Sequence, residues 1–240
     1  MTRIIPIKQK QKVRKKRKDV FNVTYFNNKH KGQRGFVIGG GPSILDIKKD
    51  GFNLNLLQKE VTVGVNKAYN LFTPTYLIWT DPYFWKTFRK EILKLRCVKF
   101  CPLNVVRKFP NENINDVHFL KRDKNRFKNT ITDSFDNPIP MWNNSGVTGL
   151  RIAYILGLNP IYLLGIDIQH EDSEGRTHFH TDYNSKRIAK TSLARYDKFY
   201  KAFELTINTL NSMNIQVVSC SKLSRLNDII PYQDLMNMDI

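Results

Sequence analysis

Cysteine is scarce. Cys97, Cys101 and Cys220 are the three in 240 residues, an odd number without a repeating spacing. That excludes a disulfide framework and points to a reduced compartment. Cys97 and Cys101 form neither a C-x-x-C redox pair nor half of a four-cysteine zinc site, and read as small core residues beside a strand. No apolar run reaches the ~18 residues of a membrane span. The basic N-terminus lacks the apolar stretch of a secretory signal, so a cytoplasmic protein is expected. Acidic residues are also few: 21 Asp and Glu stand against 39 Lys and Arg, a net charge of +18. Such an excess favours polyanionic partners: nucleic acid, an anionic membrane face or phosphorylated ligands.

The excess is concentrated at one end. Residues 1–35 carry twelve Lys and Arg and the single acid Asp19, a net +11. The run Lys8–Lys18 is too charged to pack, and residues 1–34 read as a basic, flexible arm. Such an arm either keeps the protein in solution or clamps phosphates. Tyr25 and Phe26 can dock its end or stack on bases.

From Gly35 the texture changes. Phe36–Ile38, Val61–Val65, Tyr76–Trp79, Val98–Cys101, Val117–Leu120, Ile161–Asp167 and Ile215–Ser219 read as strands. Helices are expected from Ser43, from Asn144 to about Leu156 before Gly157, and from about Arg187 to Met213. This alternation predicts an α/β, Rossmann-like doubly wound fold, a mostly parallel sheet with helices on both faces. Residues 35–240 then form one domain, with a lid or insertion at 104–140 and an active-site loop at 168–186. In such sheets ligands bind beyond the carboxyl ends of the strands, where the unusual residues gather.

Gly39, Gly40, Gly41, Pro42 and Ser43 form a strand-to-helix turn suited to an anion. The turn is neither a Walker loop nor G-x-G-x-x-G, because Ile44 stands where the third glycine belongs. Asn144, Ser145 and Gly146 open a second helix at the same edge. Asn66 and Asp81 end the second and third strands. The segment from His170, Glu171 and Asp172 to His178, His180 and Asp182 holds three His and, with Glu174, four acids. Its histidines suit a general base near neutral pH. The His178/His180 pair with a carboxylate is the metal-binding alternative, and the base reading is preferred because H-x-H alone is a weak metal signal. Trp79, Trp85 and Trp142 read as walls on which a ring can stack.

Phe36–Ser43, Val65-Asn66, Ser145–Val147 with Ala153, Leu156 and Gly157, and Ile161–Leu163 with Gly165–Asp167 together resemble the glycosyltransferase family 42 sialyltransferases. They also resemble the wider Rossmann-like clan that includes 6-hydroxymethylpterin diphosphokinase-like proteins. Three positions differ from the family pattern: Gly40 where an Asn is usual, Trp142 where an Arg is expected, and Gln169 where a Tyr follows the strand. The resemblance implies a nucleotide-sugar-binding domain that takes a CMP- or UDP-activated sugar and needs no metal or other cofactor. It implies that Gly39, Gly41, Pro42 and Ser43 hold the phosphate region, that Asn66 and Ser145 touch the donor, and that His180 is the base with His178 as fallback. Asp167 joins them as a catalytic candidate.

The activity expected is transfer of a sugar to a hydroxyl. The basic arm places a hydroxymethylated base in DNA slightly ahead of a glycan at a membrane surface as acceptor. Three alternatives remain: sialyl transfer to a cell-surface glycan, a Mg²⁺-dependent diphosphokinase using Asp81 and Asp167, and a nucleic-acid-binding protein without catalysis.

Overall fold

The computed structural model describes residues 23–106, 114, 116–125, 127–169, 172–183 and 193–240. Seven strands form one sheet: β1 (Gly35–Ile38), β2 (Val61–Val65), β3 (Tyr76–Ile78), β4 (Val98–Pro102), β5 (Val117–Leu120), β6 (Ile161–Leu164) and β7 (Val217–Ser219). Their order is β5-β4-β3-β2-β1-β6-β7, and every neighbouring pair is parallel. The described helices are α1 (Ser43–Lys49), α2 (Pro82–Ile92), α3 (Leu103–Val106), α4 (Ser145–Ile155) and α5 (Leu193–Ser212).

Both faces of the sheet are covered, which is why its strands are apolar nearly throughout. In β1, Val37 points to the face covered by α4 and α5, and Phe36 and Ile38 point to the face covered by α1. Trp79, Trp85 and Phe84 fill the space between α2 and the β3–β5 edge. The chain winds one way from β1 to β5 and the other way from β6 to β7. The switch point therefore lies between β1 and β6, where a crevice opens at the carboxyl ends of open sheets.

Helix starts follow from their caps. Asp81 accepts from Tyr83 N at 2.8 Å and Pro82 occupies the first turn of α2. Asn144 accepts from Val147 N at 3.1 Å to start α4. The other end of α4 is finished by the N-terminal segment. Asn28 N, His30 N and Gly32 N donate to the carbonyls of Ile155, Leu156 and Gly157 at 2.9, 2.8 and 2.8 Å, satisfying acceptors that a helix end leaves over. Val23 and Phe26 are buried, and His30 Nε2 lies 2.7 Å from Tyr76 Oη.

Two expectations change. Residues 23–34, expected in the arm, pack on the domain; residues 1–22 lie outside the described residues. Within 104–140, Phe135 stacks on Phe100 at 5.2 Å and Ile139 is fully buried. Finally, β6 ends at Leu164, because Gly165 turns the chain at φ +64°. Expected helix residues 187–192 lie outside the described residues, and so do 107–113. No described helix is long and apolar enough to cross a membrane.

Candidate functional site

The glycine turn after β1 sits in the crevice. Gly39 N donates to Leu164 O and Gly41 N to Gly165 O, at 2.7 and 2.8 Å. A Cβ at Gly39 would fall 2.3 Å from Gly165 O, and one at Gly41 2.3 Å from Asp167 Oδ2. These glycines are thus required by the close approach of the chain beyond β6. Ser43 N and Ser43 Oγ both donate to the Asp167 carboxylate, at 2.9 and 2.6 Å. Ser221 Oγ lies 2.9 Å from Ser43 Oγ and accepts from Gly165 N at 2.9 Å. The anion expected at the start of α1 is therefore the protein's own. Burial pushes the Asp167 carboxyl up, and the Ser43 hydrogen bonds partly oppose that. Two assignments are corrected: Ser43 faces Asp167 instead of an external phosphate, and Asp167 is a buried cap, 6% exposed.

The other expected ligand residues converge one strand further along. A cavity of about 420 Å³ is lined by Asn66, Thr80, Asp81, Asn144, Ser145 and Gly146, together with Arg122, Asn143 and Arg195. Ser145 Oγ lies 2.7 Å from Thr80 Oγ1 and accepts from Thr80 N, pinning the end of β3 to α4. The amide-rich start of α4 carries a partial positive charge. Asn66 takes φ +51°, a conformation Asn tolerates better than most residues. Its Oδ1 is buried without a hydrogen-bond partner among the described residues, a cost of about 1–3 kcal/mol that a ligand donor would relieve. Trp142, Asn143 and Ile168 also have positive φ, at +49°, +51° and +54°, so backbone strain collects around this edge.

A second, adjoining cavity of about 170 Å³ shares Asn144, Gly146 and Phe199 with one or both of its neighbours and adds Gly41, Pro42, Asp167, Thr177 and His178. His178 reaches it because Phe179 N donates to Gly40 O at 3.1 Å, folding the 172–183 loop over the glycine turn. His178 Nδ1 lies 3.0 Å from Thr177 Oγ1. Where Nδ1 is the donor in that pair, Nε2 is the acceptor and can take a proton. His180 is turned away. Its side chain is 7% exposed, its Nδ1 accepts from Asp182 N at 3.3 Å, and its ring packs 4.7 Å from that of Tyr183. With Nδ1 used as an acceptor, the neutral ring carries its proton on Nε2. Of the two histidines, His178 lines this cavity and His180 is not among its lining residues. Lys67, buried, holds Asp182 Oδ2 and Glu91 Oε2 at 3.0 Å each and anchors the loop. His170 and Glu171 lie outside the described residues.

For the metal alternative, no group of three or more His, Cys, Asp and Glu gathers among the described residues. For the diphosphokinase alternative, Asp81 and Asp167 line different cavities. Sequence reading missed Arg122, which follows β5, and Arg195, Lys198 and Phe199 on α5. Only their place at the sheet edge marks them, and that depends on long-range folding.

Burial lowers His178 from 6.5 to about 4, and burial together with His178 does the same for His180. Both are neutral at pH 7. Because the unfolded chain takes up these protons first, stability is complete above about pH 6.5 and is lost as pH falls toward 4. His178 alone accounts for on the order of 3 kcal/mol. Urea melts across this window should show the loss, and His178→Gln should remove only its part, since His180 titrates over the same range. A wild-type profile no steeper than the variant's would contradict the buried neutral ring.

Neither a protein-family model nor a curated relative matches this sequence. Solved structures do. The sialyltransferase CstII from Campylobacter jejuni, in complex with the substrate analogue CMP-3FNeuAc, matches with a TM-score of 0.53 at 16% identity, over 87% of this chain and 89% of that one. The monofunctional α-2,3-sialyltransferase Cst-I from Campylobacter jejuni matches with a TM-score of 0.54 at 18% identity, over 87% and 83%. The MAf glycosyltransferase from Magnetospirillum magneticum AMB-1 gives 0.52 at 14% identity, over 92% of this chain and 39% of that one. At these identities the likeness is one of fold.

Proposed function

We propose that this chain transfers a sugar from a nucleotide-activated donor to a hydroxyl of a polyanionic acceptor, by direct displacement and without a metal. The observation that carries the reading is the buried Oδ1 of Asn66, without a partner among the described residues, in a cavity walled by the start of α4 and by Arg122 and Arg195. A nucleoside supplies the N–H or O–H that Asn66 lacks. The leaving phosphate gains charge as the bond breaks, and arginines with helix-start amides are the groups that stabilise it. The bond between the anomeric carbon and the phosphate oxygen breaks, with the electron pair leaving on phosphate. The acceptor oxygen bonds to the anomeric carbon, and its proton passes to His178 Nε2. The shared fold with sialyltransferases supports the reaction class. Trp142 and Gln169, at positions where the family carries Arg and Tyr, argue for a donor other than a sialic acid.

The test is a thermal-shift series of cytidine, uridine and adenine nucleotides and their sugars, with and without Mg²⁺ and EDTA. A ligand at 100 times its Kd adds about 2.7 kcal/mol, a rise of several degrees for a domain of this size. The expected result is a rise with a cytidine or uridine sugar nucleotide that EDTA leaves unchanged, and that Asn66→Ala reduces. A rise with ATP and Mg²⁺ alone would overturn the reading in favour of a diphosphokinase.

A further inference from the structure

Next to the donor cavity lies a larger hollow of about 600 Å³, lined by Phe127, Trp142, Asn143, Arg195, Lys198 and Phe199. Asn143, Arg195 and Phe199 line both, so the two are continuous. Phe127 is 51% exposed, unusual for a large apolar ring, and meets Trp142 edge-on, with ring centroids 5.5 Å apart. Trp142 Nε1 donates to Lys128 O at 3.3 Å, which ties residues 127–128 beside the hollow. Two exposed cations of α5, Arg195 and Lys198, line the hollow with the rings, and Lys128, whose carbonyl holds Trp142, is exposed as well. Among the described residues the lining offers aromatic faces, cations and one amide, and no acidic side chain.

That combination selects its ligand. Sugar hydroxyls need acceptors, usually carboxylates and amides, and here Asn143 is the sole side-chain acceptor among the described residues of the lining. A single-stranded nucleic acid needs rings to stack on and spaced cations for its phosphates, whatever its sequence. A duplex hides its base faces and cannot use an exposed Phe. We propose that this platform binds single-stranded nucleic acid, stacking a base on Phe127 and Trp142 with Lys198 and its neighbours on the backbone. The strand is the polyanionic acceptor of the transferase, and this second statement rests on the function proposed above.

The test is fluorescence anisotropy of a labelled oligothymidylate with the full chain. Phe127→Ala, half-exposed and outside the donor cavity, is expected to weaken binding by roughly 5- to 150-fold, the worth of one stacked base. Lys198→Gln is expected to lower the slope of log affinity against log salt by about one. The oligonucleotide should quench the emission of Trp142, the tryptophan not fully buried, and the quench should vanish in Trp142→Phe. Unchanged affinity in Phe127→Ala, with the same salt slope, would overturn the platform and leave the basic N-terminal residues as the binder. Equal displacement by a length-matched acidic glycan would overturn it in favour of a saccharide site. Nucleotide-sugar stabilisation of Phe127→Ala separates the two proposals. If no nucleotide stabilises either protein while the ring dependence holds, the transferase reading fails and the platform stands.

Discussion

His178→Ala is expected to lower turnover by about 10²–10⁴-fold, the usual worth of a positioned general base, with donor binding retained. His180→Ala is expected to cost far less in kcat. The two histidines are separated by one residue, and their rings lie 5.3 Å apart, so the difference is one of direction. His178 borders the cavity that adjoins the donor site, and its Nδ1 pairs with Thr177 Oγ1. His180 spends Nδ1 on Asp182 N and packs its ring against Tyr183. With the donor identified by thermal shift, kcat and KM of both variants decide the matter. Because burial holds His178 at about 4, the acid limb of kcat/KM should lie well below the pH at which an exposed histidine titrates. His178→Gln, which keeps most of the packing, should be as inactive as His178→Ala. A larger loss of kcat in His180→Ala, in a variant that melts like the wild type, would return the base to position 180.

The fold is legible from the sequence wherever burial on both faces dictates it. Val61–Val65 and Val117–Leu120 stand with the bounds their apolar runs predict, and α4 lies within a residue of its expected start and end. Asn66, Asp81 and Asn144–Gly146 are also legible, because strand ends at a sheet edge are where a parallel fold puts its ligands. What escapes the sequence is every relation that joins distant segments. Ser43 and Asp167 are 124 residues apart. Each looks like a ligand-binding residue alone, and together they satisfy each other. Arg195 reads as one more charge on a long helix until the fold sets it across from Asn66. The N-terminal segment misleads for a related reason: residues 23–34 share the basic composition of what precedes them, yet their backbone amides complete the end of α4.

Asp167→Ala is expected to destabilise the protein by about 2–6 kcal/mol, the cost of leaving two buried donors unsatisfied. The carboxylate accepts from Ser43 N and Ser43 Oγ at a site 6% exposed. Without it those donors, at the start of α1, are buried with nothing to bond, each costing about 1–3 kcal/mol. Asp167→Asn keeps the shape and one acceptor oxygen, but turns an amide toward a donor, so its cost should be about half. The pH dependence of that difference has a sign. Burial raises the carboxyl above 3.8, so the wild type loses stability as pH rises through the folded value, whereas Asn does not titrate. The gap between wild type and Asp167→Asn should therefore be widest in acid and narrow toward neutrality. Chemical melts of the two proteins across that range measure it. The same samples separate a cap from a catalyst: the folded fraction of Asp167→Asn should bind donor like the wild type and turn over within a few-fold of it. A variant that melts like the wild type and loses activity by 10² or more would place Asp167 in the chemistry and leave α1 to be held by other groups.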